Sequence, residues 1–295
     1  ELKDIYSRAA NVIGKVISRN HKYRDEFIVI GAHFDHLGYG GPGSGSLKPD
    51  TSAIHNGAND NASGTAGLLE LAHKLQLNRQ LLKRSVLLIA FDAEEKGLLG
   101  SKYFIQNPTI EKNNIVTMIN MDMIGKMQDS TLIIGGVGTS PMFEPMLDSL
   151  SRDSGLKFEF NQAGYGPSDH ASFYSENIPV LFFFTGDFEN HYHLPEDDWQ
   201  TINTQGERQI LNVIYDLTIK ISRENSKPRF TLSGPKKQKA QRTNQKVKLG
   251  IIPHYGGTVQ GLKVDKIYDP NGPAAKAGIK SGDIIKSINK KPVND

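Results

Sequence analysis

The sequence predicts an α/β fold in which a mostly parallel, mixed sheet is covered by helices on both faces. Apolar segments rich in Ile, Val and Phe alternate with segments of helical spacing along the first 224 residues. Strands that are apolar throughout need cover on both faces, which parallel sheets receive from their connecting helices. No internal repeat interrupts this order, so we expect one α/β domain over residues 1–224.

The individual elements follow from periodicity and from turn residues at the ends of each run. The predicted strands cover residues 12–18, 27–32, 86–91, 115–121, 132–134, 157–160 and 179–184. The predicted helices cover residues 63–77, 98–106, 141–154 and 204–222. Only a short charged turn separates the first two strands, which predicts an antiparallel hairpin at one edge of the sheet.

Composition excludes several classes of protein. The 295 residues are 37% hydrophobic and 23% charged, enough for a sizeable core. The chain has no cysteine, which excludes disulfides, cysteine-ligated zinc and thiol nucleophiles. The longest strongly apolar run, residues 178–184, is too short to span a membrane. The chain begins at Glu1 without a signal peptide, and we interpret it as a fragment or processed form.

The net charge of +3 hides a basic stretch at residues 225–246, which contains seven Lys and Arg residues and no acidic residue. Without it, the remainder carries about −4. The stretch is polar, contains Pro and Gly, and lacks helical or strand periodicity. A nucleic-acid-binding arm is one interpretation, but no platform of aromatic side chains is interleaved with the charges. We therefore expect an interdomain linker and no nucleic-acid partner.

Short strands around one small helical turn are predicted after the linker. The Leu249-Gly250-Ile251 loop, Gly-Pro-Ala-Ala-Lys-Ala-Gly at 272–278 and Ser-Gly-Asp-Ile-Ile-Lys-Ser-Ile-Asn at 281–289 resemble a PDZ domain of the bacterial protease-associated type. The resemblance covers residues 247–295, and the last helix and strand of such a domain would lie beyond Asp295. It implies capture of a peptide C-terminus by strand addition beside Leu249, Gly250 and Ile251. The alternative is a segment that only packs on the first domain.

Histidine and acidic residues recur in five short segments, four of which follow a predicted strand or lie beside a Gly-rich turn. The segments are Gly-Ala-His-Phe-Asp-His (31–36), Asn-Asp-Asn-Ala-Ser-Gly (59–64), Asp-Ala-Glu-Glu (92–95), Asn-Met-Asp-Met (120–123) and His-Tyr-His (191–193). Loops at the carboxyl ends of strands gather to form sites in α/β sheets. Two imidazoles, three carboxylates and a spare glutamate suit two borderline divalent metals, above all zinc.

Each of these residues also has a purely structural interpretation. His33 directly follows a strand, and Asp35 lies two residues on, where it could fix the tautomer of a metal-bound imidazole. Asp60 precedes a helix and could cap it, although Ser63 would serve for that. Asp122 lies between two methionines, a poor environment for a carboxylate that needs only solvent.

Glu94 and Glu95 follow the most apolar strand, and the two adjacent carboxylates would repel each other without a cation between them. No single residue decides the assignment. The conjunction of all five segments, in this order and at these strand ends, indicates a metal site.

The first 224 residues resemble the di-zinc exopeptidases, which include secreted bacterial aminopeptidases, glutamate carboxypeptidase and the transferrin-receptor ectodomain. The motifs that carry the resemblance are Gly-Ala-His33-Phe-Asp35-His, Gly-Ala-Asn-Asp60-Asn-Ala-Ser-Gly, Glu94-Glu95-Xaa-Gly-Leu, Asn-Met-Asp122-Met-Ile-Gly, Ser168-Asp169-His170 and Tyr192-His193-Xaa-Pro-Glu-Asp. Family members often carry Arg before the Ser-Asp pair, whereas Pro167 stands there in this chain. Asp169 and His170 are expected to shape the pocket.

The resemblance implies a zinc-exopeptidase fold, two Zn²⁺ per chain and a periplasmic or secreted location. The implied roles are His33 and Asp122 on one zinc, Glu95 and His193 on the other, Asp60 as the bridge, Glu94 as general base, Asp35 as the partner of His33 and Tyr192 as a donor to the oxyanion. His193 is the histidine that matches the family motif, because it precedes Leu-Pro-Glu-Asp. Judged from the sequence alone, His191 would be nearly as good a ligand.

The expected reaction is removal of N-terminal residues from peptides. A carboxypeptidase of the glutamate type would need a basic pocket for the substrate carboxylate, and no arginine cluster lies near the motifs. Glutaminyl cyclase, a related single-zinc acyltransferase, needs only an Asp-Glu-His set, so the presence of His33 and Asp122 argues against it. A receptor-like or scaffold protein would have lost ligands, whereas all five are intact.

Overall fold

The structure is a computed structural model that describes residues 8–186, 191–236, 249–253, 261–269 and 271–293. Seven of the described strands form the main sheet. They are β1 (Val12–Val16), β2 (Phe27–His33), β3 (Ser85–Phe91), β4 (Ile115–Met121), β5 (Thr131–Gly135), β6 (Lys157–Phe160) and β7 (Val180–Phe184). Their order is β1–β3–β2–β4–β7–β5–β6. Strands β3, β2, β4 and β7 run parallel, whereas β1 and β5 are antiparallel to β3 and β7. The predicted mixed, mostly parallel sheet is therefore confirmed.

Helices cover both faces of this sheet. Those described here are α1 (Gly64–Leu77), α2 (Leu99–Gln106), α3 (Phe143–Ser154), α4 (His170–Ser175) and α5 (Thr204–Arg223). Residues of α1, α3 and α5 share one apolar core with Ile28 and Ile30 of β2. Residues of α2 and α4 share the other core with Phe27 and Val29. Alternate residues of a strand point to opposite faces of the sheet. Since helices cover both faces, β2 is buried along its whole length.

The predicted hairpin of the first two strands is wrong. Strand β1 pairs antiparallel with β3, and β2 lies between β3 and β4. Every residue of β2 is buried, as expected of a central strand covered on both faces, whereas β1 is mostly exposed and suits an edge. Side-chain hydrogen bonds fix the end of β1 beside β3, since Ser18 Oγ donates to the Leu82 carbonyl and the Ser18 amide donates to Ser85 Oγ.

The C-terminal segment has its own small elements in the described residues 249–253, 261–269 and 271–293. They are β8 (Ile251–Pro253), β9 (Leu262–Ile267), α6 (Pro273–Lys276), β10 (Ile284–Ile285), β11 (Ser287–Ile288) and β12 (Lys291–Pro292). Strands β10, β9 and β8 form one sheet with β8 at its edge. Val264 and Ala274 are fully buried in this segment. Its assignment as a PDZ-like domain stays a prediction.

Part of the predicted linker lies against the first domain. The Tyr174 hydroxyl donates to the Ser233 carbonyl at 2.7 Å, and the Phe230 ring lies 5.6 Å from the Tyr174 ring. Residues 237–248 lie outside the described part, so the boundaries 225–246 and 247–295 remain predictions. Among the helices that are described, none is long and apolar enough to cross a membrane.

Glu207 in the first turn of α5 provides a pH-dependent test of the fold. It is 9% exposed, and burial raises the pKa of its carboxyl to about 7. An acid whose pKa is higher in the folded than in the unfolded state lowers stability as the pH rises between the two values, here from about 4.5 to about 7. The full penalty is present above pH 7.

We therefore expect Glu207→Gln to be more stable than the wild type at pH 8, with most of this difference lost at pH 5. Urea unfolding at both pH values measures the effect. Glu70→Gln, at an exposed position of α1, is the matched control and should show little change. An equal stability difference at both pH values would contradict the assignment of the shift to burial.

Candidate metal centre

The predicted site segments meet at one edge of the sheet. His33 is the last residue of β2, Glu94 and Glu95 follow β3, and Asp122 follows β4. These strands are adjacent and parallel, so their carboxyl ends lie side by side. The loop that carries His193 follows β7, which pairs with β4. The topology thus brings together residues that are up to 160 positions apart.

Asp60 reaches this edge from an irregular helical turn, Ala58–Ser63, that precedes α1. The Asn61 side chain joins this turn to the loop after β4: Nδ2 donates to the Met121 carbonyl at 3.0 Å and Oδ1 accepts from the Met123 amide at 3.2 Å. Gly64 permits the close approach, since a Cβ there would lie 2.7 Å from the Met121 carbonyl oxygen. These contacts place Asp60 beside Asp122.

The two oxygens of Asp60 face different histidines. Asp60 Oδ1 lies 3.3 Å from His33 Nε2, which is also 3.4 Å from Asp122 Oδ1. Asp60 Oδ2 lies 3.2 Å from His193 Nε2, which is also 3.3 Å from Glu95 Oε2. The structure therefore contains two histidine–carboxylate groups that share Asp60.

These spacings fit zinc. Ligand atoms at 2.0–2.1 Å from a tetrahedral ion are about 3.3 Å apart, whereas charge-assisted hydrogen bonds are shorter, at about 2.7–2.9 Å. Asp122 Oδ1 is buried and has no hydrogen-bond partner among the described residues, as expected of an atom that is positioned for a metal. The donor set of imidazole nitrogens and carboxylate oxygens also suits zinc.

The shifted pKa values of His33, Asp60 and His193 indicate that each histidine–carboxylate group stabilises a positive charge. Burial would lower the pKa of His193, but hydrogen bonds and charges from Asp60 and Glu95 raise it to about 10. Burial likewise opposes the shift of His33, whose pKa is nevertheless well above its usual value because of Asp122, Asp35 and Asp60. Burial would raise the pKa of Asp60, but hydrogen bonds from His193 and His33 lower it. A bound cation would satisfy the same carboxylates.

Three residues with left-handed backbone aim these side chains. Ala93, Met123 and His193 have φ of 55°, 56° and 54°, although none is glycine. Such residues cost about 1–3 kcal/mol each and persist where the surrounding structure fixes them. Ala93 immediately precedes Glu94, and Met123 immediately follows Asp122. Three of the nine non-glycine residues with positive φ in the described part of the chain therefore lie at the candidate metal centre.

Asp35 contacts more than its predicted partner. Its carboxylate lies 3.7 Å from His33 Nδ1 and accepts hydrogen bonds from the amides of Glu94, at 2.9 Å, and Glu95, at 3.2 Å. The backbone carbonyl of Asp35 lies closer to His33 Nδ1, at 3.2 Å. Asp35 thus fixes the glutamate pair as well as the histidine. His193 Nδ1 lies 3.0 Å from the Gly45 carbonyl, which favours the tautomer with Nε2 free for a metal.

Glu94 and Tyr192 line the same cavity as the histidines. Burial raises the pKa of Glu94 to about 10, and the positive charge of His33 opposes this shift. A bound cation would oppose it further. The Tyr192 ring stacks on the His193 ring with centroids 3.9 Å apart, which fixes its position at the cavity wall.

The sequence interpretation missed His36. Its Nδ1 lies 2.9 Å from Glu95 Oε1 and 3.9 Å from Asp60 Oδ2. His36, Asp60 and Glu95 offer ligand atoms within 4.8 Å of one another. A signal was present, because His36 ends the motif that contains His33. His36 and His193 therefore contact the two different oxygens of Glu95.

The other histidines lie outside the two groups. His191 Nδ1 lies 3.2 Å from Lys126 Nζ, so of the two histidines in the His-Tyr-His segment it is His193 that faces Asp60 and Glu95. The His170 ring stacks on Phe182 at 4.5 Å, and burial lowers the pKa of His170 to about 3. Burial also raises the pKa of Asp169 to about 7. Pro167 lines the cavity directly.

A buried ion pair supports Asp60. Lys126 and Asp197 are 6% and 1% exposed, and Lys126 Nζ lies 2.8 Å from Asp197 Oδ1. Asp197 Oδ2 accepts hydrogen bonds from the amides of Asn59 and Asp60 at 2.9 and 3.0 Å. The pair therefore joins the Asp60 turn to the loops that carry Asp122 and His193. Asp197 lay within the quoted motifs, whereas nothing in the sequence singled out Lys126.

We expect Asp197→Asn to weaken zinc binding about 10–100-fold, because its carboxylate orients the Asp60 backbone. It should also lower stability by about 3–5 kcal/mol, since Lys126 loses its buried partner. Competition with a chromogenic chelator measures affinity, and denaturant unfolding measures stability.

The exposed neighbour Glu196, which pairs with Lys48, provides the control Glu196→Gln, with little expected effect. Adding Lys126→Met to Asp197→Asn should recover part of the stability but not the zinc affinity. Unchanged zinc affinity in Asp197→Asn would show that the ion pair serves folding alone.

The chain is similar in sequence and fold to known aminopeptidases. Aminopeptidase YwaD of Bacillus subtilis (strain 168) is 28% identical over 246 residues, which cover 78% of this chain and 48% of that protein. Leupeptin-inactivating enzyme 1 of Streptomyces exfoliatus is 37% identical over 133 residues, covering 44% and 29%. The crystal structure of BSAP, a zinc aminopeptidase from Bacillus subtilis, superposes with a TM-score of 0.58 at 26% identity, covering 76% of this chain and 53% of that one.

The chain spans about half the length, or less, of these relatives. Residues 11–218 match the description "Peptidase family M28", and this range contains all seven main-sheet strands and the metal centre described above. The chain belongs to peptidase family M28.

Proposed function

We propose that this protein is a zinc aminopeptidase that removes N-terminal residues from peptides at a centre of two metal ions. The observation that carries the proposal is the position of Asp60, whose two oxygens each face a separate histidine–carboxylate group. Membership of peptidase family M28 and the similarity to YwaD and BSAP support a peptidase of the aminopeptidase class.

The residues present would hold the ions in two sets. His33 and Asp122 would bind one ion, Glu95 and His193 the other, and Asp60 both. Zinc bound there would act as a Lewis acid that polarises the scissile carbonyl and would lower the pKa of a bound water. The protein supplies the positions of the ligands, which are set by strand ends, by Asp35 and by the Lys126–Asp197 pair.

Glu94 is proposed as the general base. It lies in the cavity beside the ligands, and its amide is held by Asp35. An uncoordinated carboxylate at this point can take a proton from the attacking water and deliver it to the leaving amine. Tyr192 would donate a hydrogen bond to the developing oxyanion, and its stacking on His193 would limit the reorganisation that this requires.

The cavity lining disfavours the other enzyme classes. No Lys or Arg lies among the described residues that line the cavity, whereas a carboxypeptidase would need a cation there for the substrate carboxylate. A glutaminyl cyclase would use one ion, whereas His33 and Asp122 offer ligands for a second. A receptor-like protein without activity has no need of a glutamate placed beside both groups.

Two further assignments belong to the same proposal. A periplasmic or secreted location is proposed from the resemblance to secreted bacterial aminopeptidases. Binding of a peptide C-terminus by Leu249, Gly250 and Ile251 is proposed from the PDZ-like motif, and the position of β8 at the edge of its sheet supports it. The carbonyls of Leu249 and Gly250 already accept hydrogen bonds from Ala274 and Tyr268 within the segment.

The function is tested by adding zinc to the metal-free protein and measuring hydrolysis of leucyl p-nitroanilide. Activity should rise until about two zinc ions are bound per chain. Glu94→Gln should keep both ions but lose at least about 100-fold in kcat, since general-base catalysis contributes on that scale.

Glu144→Gln, at an exposed position of α3, is the matched control and should keep wild-type activity. Binding of zinc without hydrolysis of any aminoacyl anilide would contradict the aminopeptidase proposal. Near wild-type turnover in metal-replete Glu94→Gln would instead exclude Glu94 as the base.

A further inference from the structure

The wall of the metal cavity comes from two separated parts of the chain. One side carries the metal-binding and catalytic residues, and the apolar side carries Met123, Phe182 and Phe184 from the main sheet and its loops. Ile251 and Pro253 of β8 complete the lining, although they belong to the C-terminal segment. The C-terminal segment therefore contributes apolar surface directly beside the metal centre.

A second contact holds the segment at this position. Tyr268 packs against the apolar cluster of Met123, Ile133, Phe182 and Phe184, whose members are 2–7% exposed. The Tyr268 amide donates to the Gly250 carbonyl at 3.1 Å, which ties the end of β9 to the residue before Ile251. Ile251 and Tyr268 are thus parts of one structured unit: Ile251 lines the cavity, and Tyr268 packs against the apolar cluster that contributes to its wall.

The cavity is large enough to hold an amino-acid side chain. Its volume is about 220 Å³, below the roughly 300–1,000 Å³ that is usual for sites that enclose a whole small molecule. A peptide whose first carbonyl lies at the metal centre would place the adjacent side chain against the apolar wall. Replacement of Ile251 would change the size of that space without touching a metal ligand.

We propose that Ile251 and Pro253 complete the pocket for the side chain of the substrate's N-terminal residue, so that the C-terminal segment helps to select which residues are removed. The preferred substrates would be peptides that begin with an apolar residue of medium size. This inference rests on the proposed aminopeptidase function and adds a specificity role for a segment outside the M28 match, which ends at residue 218.

The test compares kcat/KM for alanyl, leucyl and phenylalanyl p-nitroanilides in the full chain loaded with zinc. Ile251→Ala enlarges the pocket and should raise the phenylalanyl-to-alanyl ratio about ten-fold, the usual effect of small changes in the volume of an apolar pocket. Ile251→Trp fills the pocket, so kcat/KM should fall least for the alanyl substrate and most for the phenylalanyl substrate. Ile251→Val, a milder change, should shift the ratio in the same direction as Ile251→Ala but by less.

Ile288 is the matched control, because it lies in the same segment, is 53% exposed and does not line the cavity. Ile288→Ala and Ile288→Trp should keep the wild-type ratios. Thermal unfolding of each variant establishes that the protein is folded before the ratios are compared.

The outcomes separate the inference from the function on which it rests. Hydrolysis by the wild type with ratios that stay within two-fold in all three Ile251 variants would overturn the specificity role and leave the aminopeptidase function intact. Equal shifts in the Ile251 and Ile288 variants would overturn it as well, because the effect would then not come from the cavity wall. A wild type that hydrolyses none of the anilides would overturn both.

Discussion

The shared carboxylate of Asp60 is the interaction on which the rest of the site depends. One oxygen faces His33 and the other faces His193, at 3.3 and 3.2 Å. The two histidines come from opposite ends of the first domain, so only the parallel arrangement of β2, β3, β4 and β7 brings them to one carboxylate. The buried Lys126–Asp197 pair then fixes the backbone of Asp60 through two hydrogen bonds.

The concentration of negative charge explains why so many contacts are needed to hold Asp60 in place. Asp60, Glu94, Glu95 and Asp122 lie together where burial disfavours ionised carboxylates. Hydrogen bonds and charges from Asp60 and Glu95 raise the pKa of His193, so the arrangement favours a positive charge. The left-handed backbone of Ala93, Met123 and His193 is the conformational cost of aiming the side chains at that charge. Two divalent cations would satisfy the carboxylates and the histidines together.

Periodicity predicted most of the fold, because the central strands are apolar throughout and their ends follow from Gly and charged residues. Strands β4 and β6 have the predicted bounds. The predicted pairing of β1 with β2 was wrong, because strands that are consecutive in sequence need not be adjacent in the sheet. The local sequence of β2 does not reveal that the whole strand is buried. The sequence motifs predicted Asp60 and His193 as site residues. The role of Lys126 depends on its contact with Asp197, 71 residues away in sequence, and no local sequence pattern predicts that contact.

The proposed role of the C-terminal segment in substrate selection depends on Ile251, which lines the cavity, and on Tyr268, which packs against the apolar cluster beside it. The proposed function depends on two ions that share one carboxylate. Diffraction data from zinc-loaded crystals, collected on either side of the zinc absorption edge, test that claim most directly. Two anomalous peaks about 3.5–4 Å apart, with Asp60 between them, are expected. A single peak, or peaks that do not contact Asp60, would contradict the account.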